Sequence, residues 1–242
     1  MVKRFFYAVL LSFAASAANA QNVQLHYDFG RNIYKNEEAG RPKVTVTLEQ
    51  FKADKWGNWF YFVDIDMSRK FTEGAYTEIA REFNLGKQSP FAVHVEYDGG
   101  LNKEGSFQQS GLFGAAWNGH NSDFSSTYSV QLMYKQYFKS YSYTKAFPSM
   151  QLTGVWSTSF ANKAMTFSGF IDFYRDVKPN GHGKLTILTE PQLWYNFNTI
   201  KGLENTNLSV GTEVRISNNF IYNTYNNKTF FVNPTLALKW EF

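Results

Sequence analysis

The sequence has no cysteine, no block of like charges and, beyond residue 20, no long segment with helical periodicity. A secreted chain without cysteine cannot be a disulfide scaffold, so its stability must come from sheet hydrogen bonds and burial. Because no block of like charges suggests a nucleic-acid surface, we expect no nucleic-acid partner. The lack of helical periodicity leaves strands as the expected secondary structure.

The N-terminus has the pattern of a secretory signal peptide. Lys3 and Arg4 precede an apolar run from Phe5 to Ala18, and Ala18-Asn19-Ala20 forms a small-residue cleavage site before Gln21. We therefore expect residues 1–20 to be removed. No cysteine follows the cleavage site, which excludes a lipoprotein anchor. Removal of Lys3 and Arg4 lowers the formal net charge from +4 to about +2, so the basic isoelectric point says little about partners.

The composition combines many aromatic residues with a polar average. Aromatic residues make up 19% of the chain, yet its mean hydropathy is −0.39. A soluble core would hide such residues among many Leu, Ile and Val side chains. A barrel in lipid gives both values, because alternate residues of each strand face hydrocarbon and water.

Runs of roughly eight to twelve alternating residues recur along the chain, each closed by turn-forming residues. The predicted strands are Val23–Phe29, Lys43–Phe51, Trp59–Met67, Tyr76–Leu85, Phe91–Asp98, Gly111–Trp117, Thr127–Phe138, Met150–Ser157, Ala164–Tyr174, Lys184–Phe197, Leu208–Ser217 and Phe231–Phe242. An even number allows antiparallel closure with both ends on one side of a membrane. The sequence therefore predicts an all-β fold, a transmembrane antiparallel up-and-down β-barrel of about 12 strands. We expect a single domain over residues 21–242, with short periplasmic turns and longer outer loops.

The last strand supports a location in the outer membrane of a Gram-negative-type cell. Leu236, Leu238, Trp240 and Phe242 share one face, and the chain ends on the aromatic Phe242. This ending resembles the recognition strand of outer-membrane β-barrels. The resemblance implies that the barrel-insertion machinery binds the strand through Phe242, and that outer-membrane lipid surrounds the barrel.

Alternation also assigns the two faces of each strand. A charge facing lipid would cost roughly 2–4 kcal/mol near the bilayer midplane, so the charged residues should face inward. The ionisable residues assigned to the inward face are His26, Asp28, Asp64, Asp66, Glu78, Glu82, His94, Glu96, Asp98, Asp172, Glu190, Glu213, Arg215, Lys239 and Glu241. Arg81 falls on the outward face, which indicates a β-bulge, a position near the lipid headgroups or a wrongly assigned strand.

The predicted interior combines aromatic rings with carboxylates. A barrel of about twelve strands should enclose a narrow passage. A pore that carried only water would have no use for aromatic side chains in its lining. Rings beside hydrogen-bond acceptors suit a solute that has a planar ring and hydroxyls, although the rings could instead fill gaps in the wall. The candidate solute-binding residues are Phe60, Phe62, Asp64, Asp66, Glu78, His94, Glu96, Asp172, Tyr174, Glu190, Trp194 and Arg215.

A short part of the chain resembles a known family. Trp59-Phe60-Tyr61-Phe62-Val63-Asp64, then a loop and Glu78-Ile79 with Phe83, is similar to the early strands of the Tsx-like nucleoside-specific channels. This resemblance covers about residues 56–85, and a related outer-membrane family of unknown function is the alternative. The chain has Arg81-Glu82 where Tsx-like proteins carry a Pro-Arg pair, so the charges of that strand do not transfer one to one. The resemblance implies passive uptake of nucleosides, with aromatic residues on the base and ionisable groups on the sugar.

Other functions remain open at this stage. A lipid-modifying enzyme would need a histidine on the lipid-facing surface, but His26 and His94 face inward, and His120 and His182 fall in a predicted turn and loop. We therefore expect no catalytic residues. A structural or surface-binding barrel is the other alternative, although the loops are modest.

We expect no metal site and no cofactor. His94, Glu96 and Asp98 share one strand face, but steps of two residues separate successive side chains by about 7 Å. That spacing is too wide for convenient chelation by one strand. Nothing in the sequence indicates an apolar patch beyond the lipid belt, so we also expect a monomer.

Overall fold

The structure is a computed structural model that describes residues 22–68, 71–87, 89–103, 105–141, 144–177, 183–221 and 226–242. The expected signal peptide and His182 lie outside the described residues, and the expectation for each stays a prediction. Twelve long strands account for most of the chain. They are β1 (Asn22–Asp28), β2 (Val44–Asp54), β3 (Gly57–Met67), β4 (Thr72–Asn84), β5 (Phe91–Asn102), β6 (Ser110–His120), β7 (Ser126–Tyr137), β8 (Phe147–Phe160), β9 (Met165–Val177), β10 (Gly183–Thr189 and Gln192–Asn196), β11 (Leu208–Asn218) and β12 (Phe230–Glu241).

The strands form a closed antiparallel barrel. Each strand pairs with its neighbours in sequence, and β1 pairs with β12 from Asn22 opposite Glu241 to Asp28 opposite Thr235. Closure leaves no unpaired edge, which a spanning sheet in lipid requires. The prediction of an all-β, up-and-down barrel of about 12 strands is confirmed.

The connections alternate between the two ends of the barrel. The end that holds Asn22 and Phe242, here called the terminal end, also carries the connections 55–56, 85–90, 121–125, 161–164 and 197–207. The opposite end, here called the loop end, carries the others. The connections at the loop end are longer on average, but 197–207 is as long as 219–229 and contains a 3-10 turn at Phe197–Thr199.

A belt of exposed apolar side chains surrounds the barrel. Aliphatic residues occupy its middle, and a ring of aromatic residues marks the terminal end. The aliphatic members include Leu25, Ile79, Val95, Leu132, Leu152 and Leu238. The aromatic ring includes Trp59, Phe83, Trp117, Tyr128, Phe167, Tyr195 and Trp240. Rings at the edge of an apolar belt are typical of the boundary between hydrocarbon and headgroups.

The inward and outward faces follow the predicted alternation. In β1, Asn22, Gln24, His26 and Asp28 are buried inside, whereas Leu25 is exposed on the outer face. In β12, Leu236, Leu238 and Trp240 are about half exposed, with exposed fractions of 57%, 52% and 50%. Apolar residues that would be unfavourable in water therefore form the outer surface, as a lipid environment requires.

Arg81 lies on the outward face without a bulge. The pairing of β3 with β4 is regular from Gly57 to Asp66, so a bulge does not explain its position. Its Nη2 donates to Asp54 Oδ1 at 2.9 Å, and its guanidinium lies 5.0 Å from the ring centres of both Trp59 and Phe83. Because these partners belong to the terminal end, the charge sits at the height of the headgroups.

Two local features differ from the predicted strands. The segment predicted as one strand over Lys184–Phe197 is interrupted at Glu190 and Pro191. Pro191 has no N–H for the ladder, although its carbonyl still accepts a bond of 3.0 Å from Val214. The first connection contains a one-turn helix, Gly30–Tyr34, although no helix was predicted beyond residue 20.

None of the helices in the described part of the chain has the length and apolar character needed to cross a membrane.

Gly57 lies where two neighbouring strands approach each other closely. It has φ +154° and is buried at the start of β3, where an added Cβ would overlap the carbonyl oxygen of Glu82. We expect Gly57→Ala to lower the free energy of unfolding by about 2 kcal/mol or more. Urea titration of the barrel in lipid vesicles measures this difference. Gly40→Ala is the control, because nothing lies within 4 Å of that position. Equal urea midpoints for Gly57→Ala and Gly40→Ala would contradict the predicted overlap at Gly57.

Candidate functional site

Three groups of side chains occupy the barrel interior. The first, called the aromatic ladder, comprises Phe60, Phe62, Tyr76 and Phe107. The second, called the first acidic cluster, comprises Glu78, Glu96, Asp98, Lys135 and Asp172. The third, called the second acidic cluster, comprises Asp64, Glu190, Glu213 and Arg215. The three groups together contain most of the predicted lumen residues.

The aromatic ladder runs from the terminal end toward the loop end. Ring centres are 6.0 Å apart between Phe60 and Phe62, 6.0 Å between Phe62 and Tyr76, and 6.2 Å between Tyr76 and Phe107. Phe60, Phe62 and Tyr76 stand on the inward faces of β3 and β4, and solvent reaches each of them. Successive rings at this spacing form a continuous apolar track on one wall.

The first acidic cluster lies beside the ladder on β4, β5, β7 and β9. Tyr76 donates its hydroxyl to Glu78 Oε1 at 2.9 Å, which joins the cluster to the ladder. Lys135 Nζ donates to Asp98 Oδ2 at 2.8 Å. One oxygen each of Glu78, Glu96 and Asp98 lies within 4.8 Å of the others. The expected separation of side chains along β5 is therefore wrong for Glu96 and Asp98, because their carboxylates converge.

His94 belongs to a chain of ionisable groups behind the first acidic cluster. Its Nε2 lies 2.9 Å from Glu96 Oε2, and its Nδ1 lies 3.2 Å from Glu82 Oε1. Glu82 also accepts bonds from Asn58 and Asn118, at 2.9 Å and 2.7 Å. His94 is 2% exposed, so it orients Glu96 rather than meeting a solute.

The second acidic cluster brings Asp64 of β3 together with residues of β10 and β11, although β12, β1 and β2 separate these strands in the sheet. Arg215 Nε donates to Glu190 Oε1, and Gln192 Nε2 donates to Glu213 Oε2 at 2.8 Å. Thr47 donates its hydroxyl to Asp64 Oδ1 at 2.5 Å. Beside these groups is a cavity of about 30 Å³, whose polar lining includes His26 and Asp28. A cavity of this size has room for about one or two water molecules.

Trp194 is inward, as predicted, but it closes the wall instead of lining a passage. It is 1% exposed, and its Nε1 donates to Gln192 Oε1 at 2.9 Å. Lys239 Nζ lies 4.6 Å from its ring centre. Gly211 makes this position possible, because a Cβ there would come within 2.5 Å of the indole. In this conformation Trp194 cannot contact a solute.

The remaining predicted residues keep the inward phase. Tyr174 lies beside the first acidic cluster, where Lys135 Nζ is 4.9 Å from its ring centre. Asp66 accepts a bond of 2.8 Å from Thr45 Oγ1, and Asp172 accepts one of 2.6 Å from Thr153 Oγ1. Asp172 and Glu190 are each 8% exposed, so most of their surface is covered by neighbouring groups.

The first connection, residues 29–43, folds over the second acidic cluster. Arg41 donates to Asp28 Oδ2 through Nε at 3.0 Å and Nη2 at 2.7 Å. Asn233 Nδ2 donates to Glu38 Oε1 at 2.9 Å, and Glu38 is 5% exposed. This segment, here called the first loop, therefore contributes two charged groups that strand alternation could not identify.

Lys135, Asp98 and Glu213 were missing from the predicted site residues. Asp98 and Glu213 had been assigned to the interior by alternation, and Lys135 follows the same rule on β7 with Gln131 and Met133. The signal for these three was present in the sequence. Glu38 and Arg41 had no such signal, because their positions depend on the path of the first loop.

The barrel closure, the apolar belt and the polar interior define the class of the protein. It is an outer-membrane β-barrel with the fold of outer-membrane porins. The chain belongs to the DUF5020 family, described as a domain of unknown function, whose model matches residues 20–242. This match agrees with the expected alternative, an outer-membrane family of unknown function, and the Tsx-like resemblance over residues 56–85 is not confirmed.

Solved structures with this architecture share little sequence with the chain. The NanC porin has 12% identity and a TM-score of 0.58, and the match covers 91% of this chain and 99% of that chain. The KdgM porin in complex with disordered oligogalacturonate has 12% identity, a TM-score of 0.48, and coverage of 91% and 98%. LpxR from Salmonella typhimurium has 7% identity, a TM-score of 0.45, and coverage of 91% and 99%. No curated protein sequence matches the chain.

Glu38 makes the docking of the first loop dependent on pH. Burial raises the pKa of Glu38 above its ordinary 4.5, and nearby Asp28 adds to the rise, whereas Asn233, Arg41 and Arg215 oppose it. The docked loop therefore favours the protonated acid, and Glu38 Oε2 has no hydrogen-bond partner among the described residues. This contribution is fully present below pH 4.5 and is lost as pH rises through the raised pKa.

Hydrogen exchange of the loop amides measures this effect. We expect slower exchange at acidic pH than the intrinsic rates predict, and a faster relative rate near neutral pH. Glu38→Gln should remove the difference, because an amide does not titrate. Comparison of the two proteins at each pH cancels the intrinsic pH dependence of exchange. An unchanged pH response in Glu38→Gln would rule out Glu38 as the titrating group.

Proposed function

We propose that the protein is an outer-membrane channel for passive uptake of small polar solutes, most specifically nucleosides. The observation that carries this proposal is the aromatic ladder between two acidic clusters. The ladder offers stacking surfaces along the barrel axis, and the clusters offer acceptors for hydroxyl groups beside them. A nucleoside presents both a planar base and a hydroxylated sugar.

The position of the carboxylates supports this division of contacts. Asp64 follows Phe62 by two residues on the inward face of β3, and Glu78 follows Tyr76 in the same way on β4. A base on the Phe62 ring would therefore have a carboxylate on either side within reach of its sugar. Each stacked base contributes roughly 1–3 kcal/mol in single-strand binding proteins, a strength that still allows release.

We propose no enzymatic activity. His26 Nδ1 lies 3.2 Å from Thr235 Oγ1 and its Nε2 lies 2.9 Å from Gln24 Oε1, so both ring nitrogens are engaged inside the barrel. His94 is held between two carboxylates, and His120 stacks on Phe124 at the terminal end. These three histidines do not face the apolar belt, where a lipid ester would arrive.

The terminal strand supports the remaining parts of the proposal. Phe242 lies on the outward face with Trp240, with ring centres 5.0 Å apart, so both rings are available to the insertion machinery. We propose that the terminal end faces the periplasm and that the barrel functions as a monomer in lipid.

Nucleoside influx into proteoliposomes tests the role of the ladder. We expect Phe62→Ala to raise the half-saturating nucleoside concentration about tenfold, from the loss of one stacking surface. Asp64→Asn should also raise it, because an amide is a weaker acceptor for a sugar hydroxyl. Phe113→Ala is the matched control, since Phe113 is 61% exposed on the outer face.

Influx of free ribose provides the second control for this experiment. Ribose has the hydroxyls but no planar base, so Phe62→Ala should leave its rate unchanged. Equal losses of nucleoside and ribose influx would indicate a collapsed pore and would count against stacking. An equal half-saturating nucleoside concentration in the wild type and Phe62→Ala would contradict the proposal that the aromatic ladder binds the base.

The interior charges predict cation selectivity. Six inward carboxylates form no ion pair with any described residue: Glu49, Asp64, Asp66, Glu78, Asp172 and Glu213. The inward cations Lys135 and Arg215 are each paired with a carboxylate. We expect reversal potentials in a salt gradient to show preference for cations, and Asp66→Asn to weaken that preference. Anion preference in the wild-type channel would overturn the proposed lining.

A further inference from the structure

The first acidic cluster contains a buried carboxylate oxygen without a partner. Asp98 is 4% exposed, and its Oδ2 accepts bonds from Ser110 Oγ and Lys135 Nζ at 2.9 Å and 2.8 Å. Its Oδ1 has no hydrogen-bond partner among the described residues. A buried carboxylate oxygen in a low-dielectric wall is costly unless a proton or a cation satisfies it.

The carboxylates beside Asp98 are themselves hydrogen-bond acceptors. Ligand oxygens of Glu78, Glu96 and Asp98 all lie within 4.8 Å of one another, and they come from the adjacent strands β4 and β5. One oxygen of each neighbour is already engaged: Tyr76 bonds Glu78 Oε1, and His94 bonds Glu96 Oε2. Lys135 is the one cation among the four carboxylates of the first acidic cluster, so the cluster retains an excess of negative charge.

We propose that Glu78, Glu96 and Asp98 bind one divalent cation, Ca²⁺. Calcium takes oxygen ligands at about 2.3–2.6 Å, so two ligands on opposite sides of the ion are about 5 Å apart. The observed spread of the three oxygens fits that span without movement of the backbone. Calcium also accepts six to eight ligands, which leaves positions for water from the lumen.

Magnesium fits this cluster less well. It requires near-octahedral ligands at about 2.0–2.1 Å and releases its waters reluctantly. Three carboxylates fixed on two paired strands cannot contract easily, because each is held by a second group in the wall. The site should therefore favour Ca²⁺ over Mg²⁺. This inference does not rest on the transported solute, and it holds whether or not the barrel conducts nucleosides.

Calorimetric titration of the refolded barrel with calcium chloride tests the site. The protein is refolded in zwitterionic detergent, so that no anionic lipid binds the ion. We expect one Ca²⁺ per barrel and weaker binding of Mg²⁺. Glu78→Gln should lower the calcium affinity at least about tenfold, because loss of a direct ligand costs at least as much as loss of a supporting group. Glu213→Gln, in the second acidic cluster, is the matched control and should bind Ca²⁺ as the wild type does.

A second variant guards against a folding defect. Glu96→Gln removes another ligand, and the electrophoretic mobility of unheated samples confirms that each barrel has folded. The thermal midpoint should rise with Ca²⁺ in the wild type and in Glu213→Gln, and should not change in either ligand variant. The proposal fails if the wild type binds no Ca²⁺, if Glu78→Gln and Glu96→Gln both bind as the wild type does, or if Glu213→Gln loses binding equally. Nucleoside influx measured without calcium is a separate readout, so either result can stand when the other fails.

Discussion

The closed ladder of backbone hydrogen bonds sets the constraint on which the rest of this protein depends. In lipid every strand must pair on both sides, and twelve strands satisfy this by joining β1 to β12. Pairing then fixes the phase of each strand, since a shift of one residue would exchange its two faces. Because one face meets hydrocarbon and the other meets water, each residue is sorted by its polarity. The inward carboxylates therefore follow from closure itself.

The same constraint explains why the interior charges form clusters. A charge cannot move to the outer face, so neighbouring strands must accommodate their ionisable groups side by side on the inner wall. Lys135 and Arg215 offset part of this charge by pairing with Asp98 and Glu190. Arg81 is an exception, and its position at the terminal end allows Asp54 and two rings to compensate for its charge. Charge is thus tolerated on the outer face where the belt ends.

The inward and outward faces of the strands could be predicted from sequence, because the free-energy cost of placing a charged side chain in lipid applies to each residue separately. The break in β10 also had a signal, since Pro191 cannot donate to a ladder, yet the alternation across it from Glu190 to Trp194 is unbroken. The convergence of Glu96 and Asp98 was not predictable from strand spacing. Backbone positions two residues apart are fixed, but side chains lean according to their partners, here Lys135 and His94. The first loop had no local signal at all, because Glu38 meets Asn233 across 195 positions of sequence.

The first loop and the aromatic ladder occupy different parts of the barrel interior. The first loop contacts β1 and β12 through Asp28 and Asn233, whereas the aromatic ladder lies on β3 and β4 and extends to Phe107. The docked loop leaves the rings of the ladder accessible, although its Arg41 lines the same small cavity as Asp64 of β3. The rings of the ladder interact through their faces and edges, and Tyr76 also donates its hydroxyl to Glu78. The loop contacts and the ring contacts therefore depend on different residues, and the two sets meet at the cavity that Arg41 and Asp64 both line.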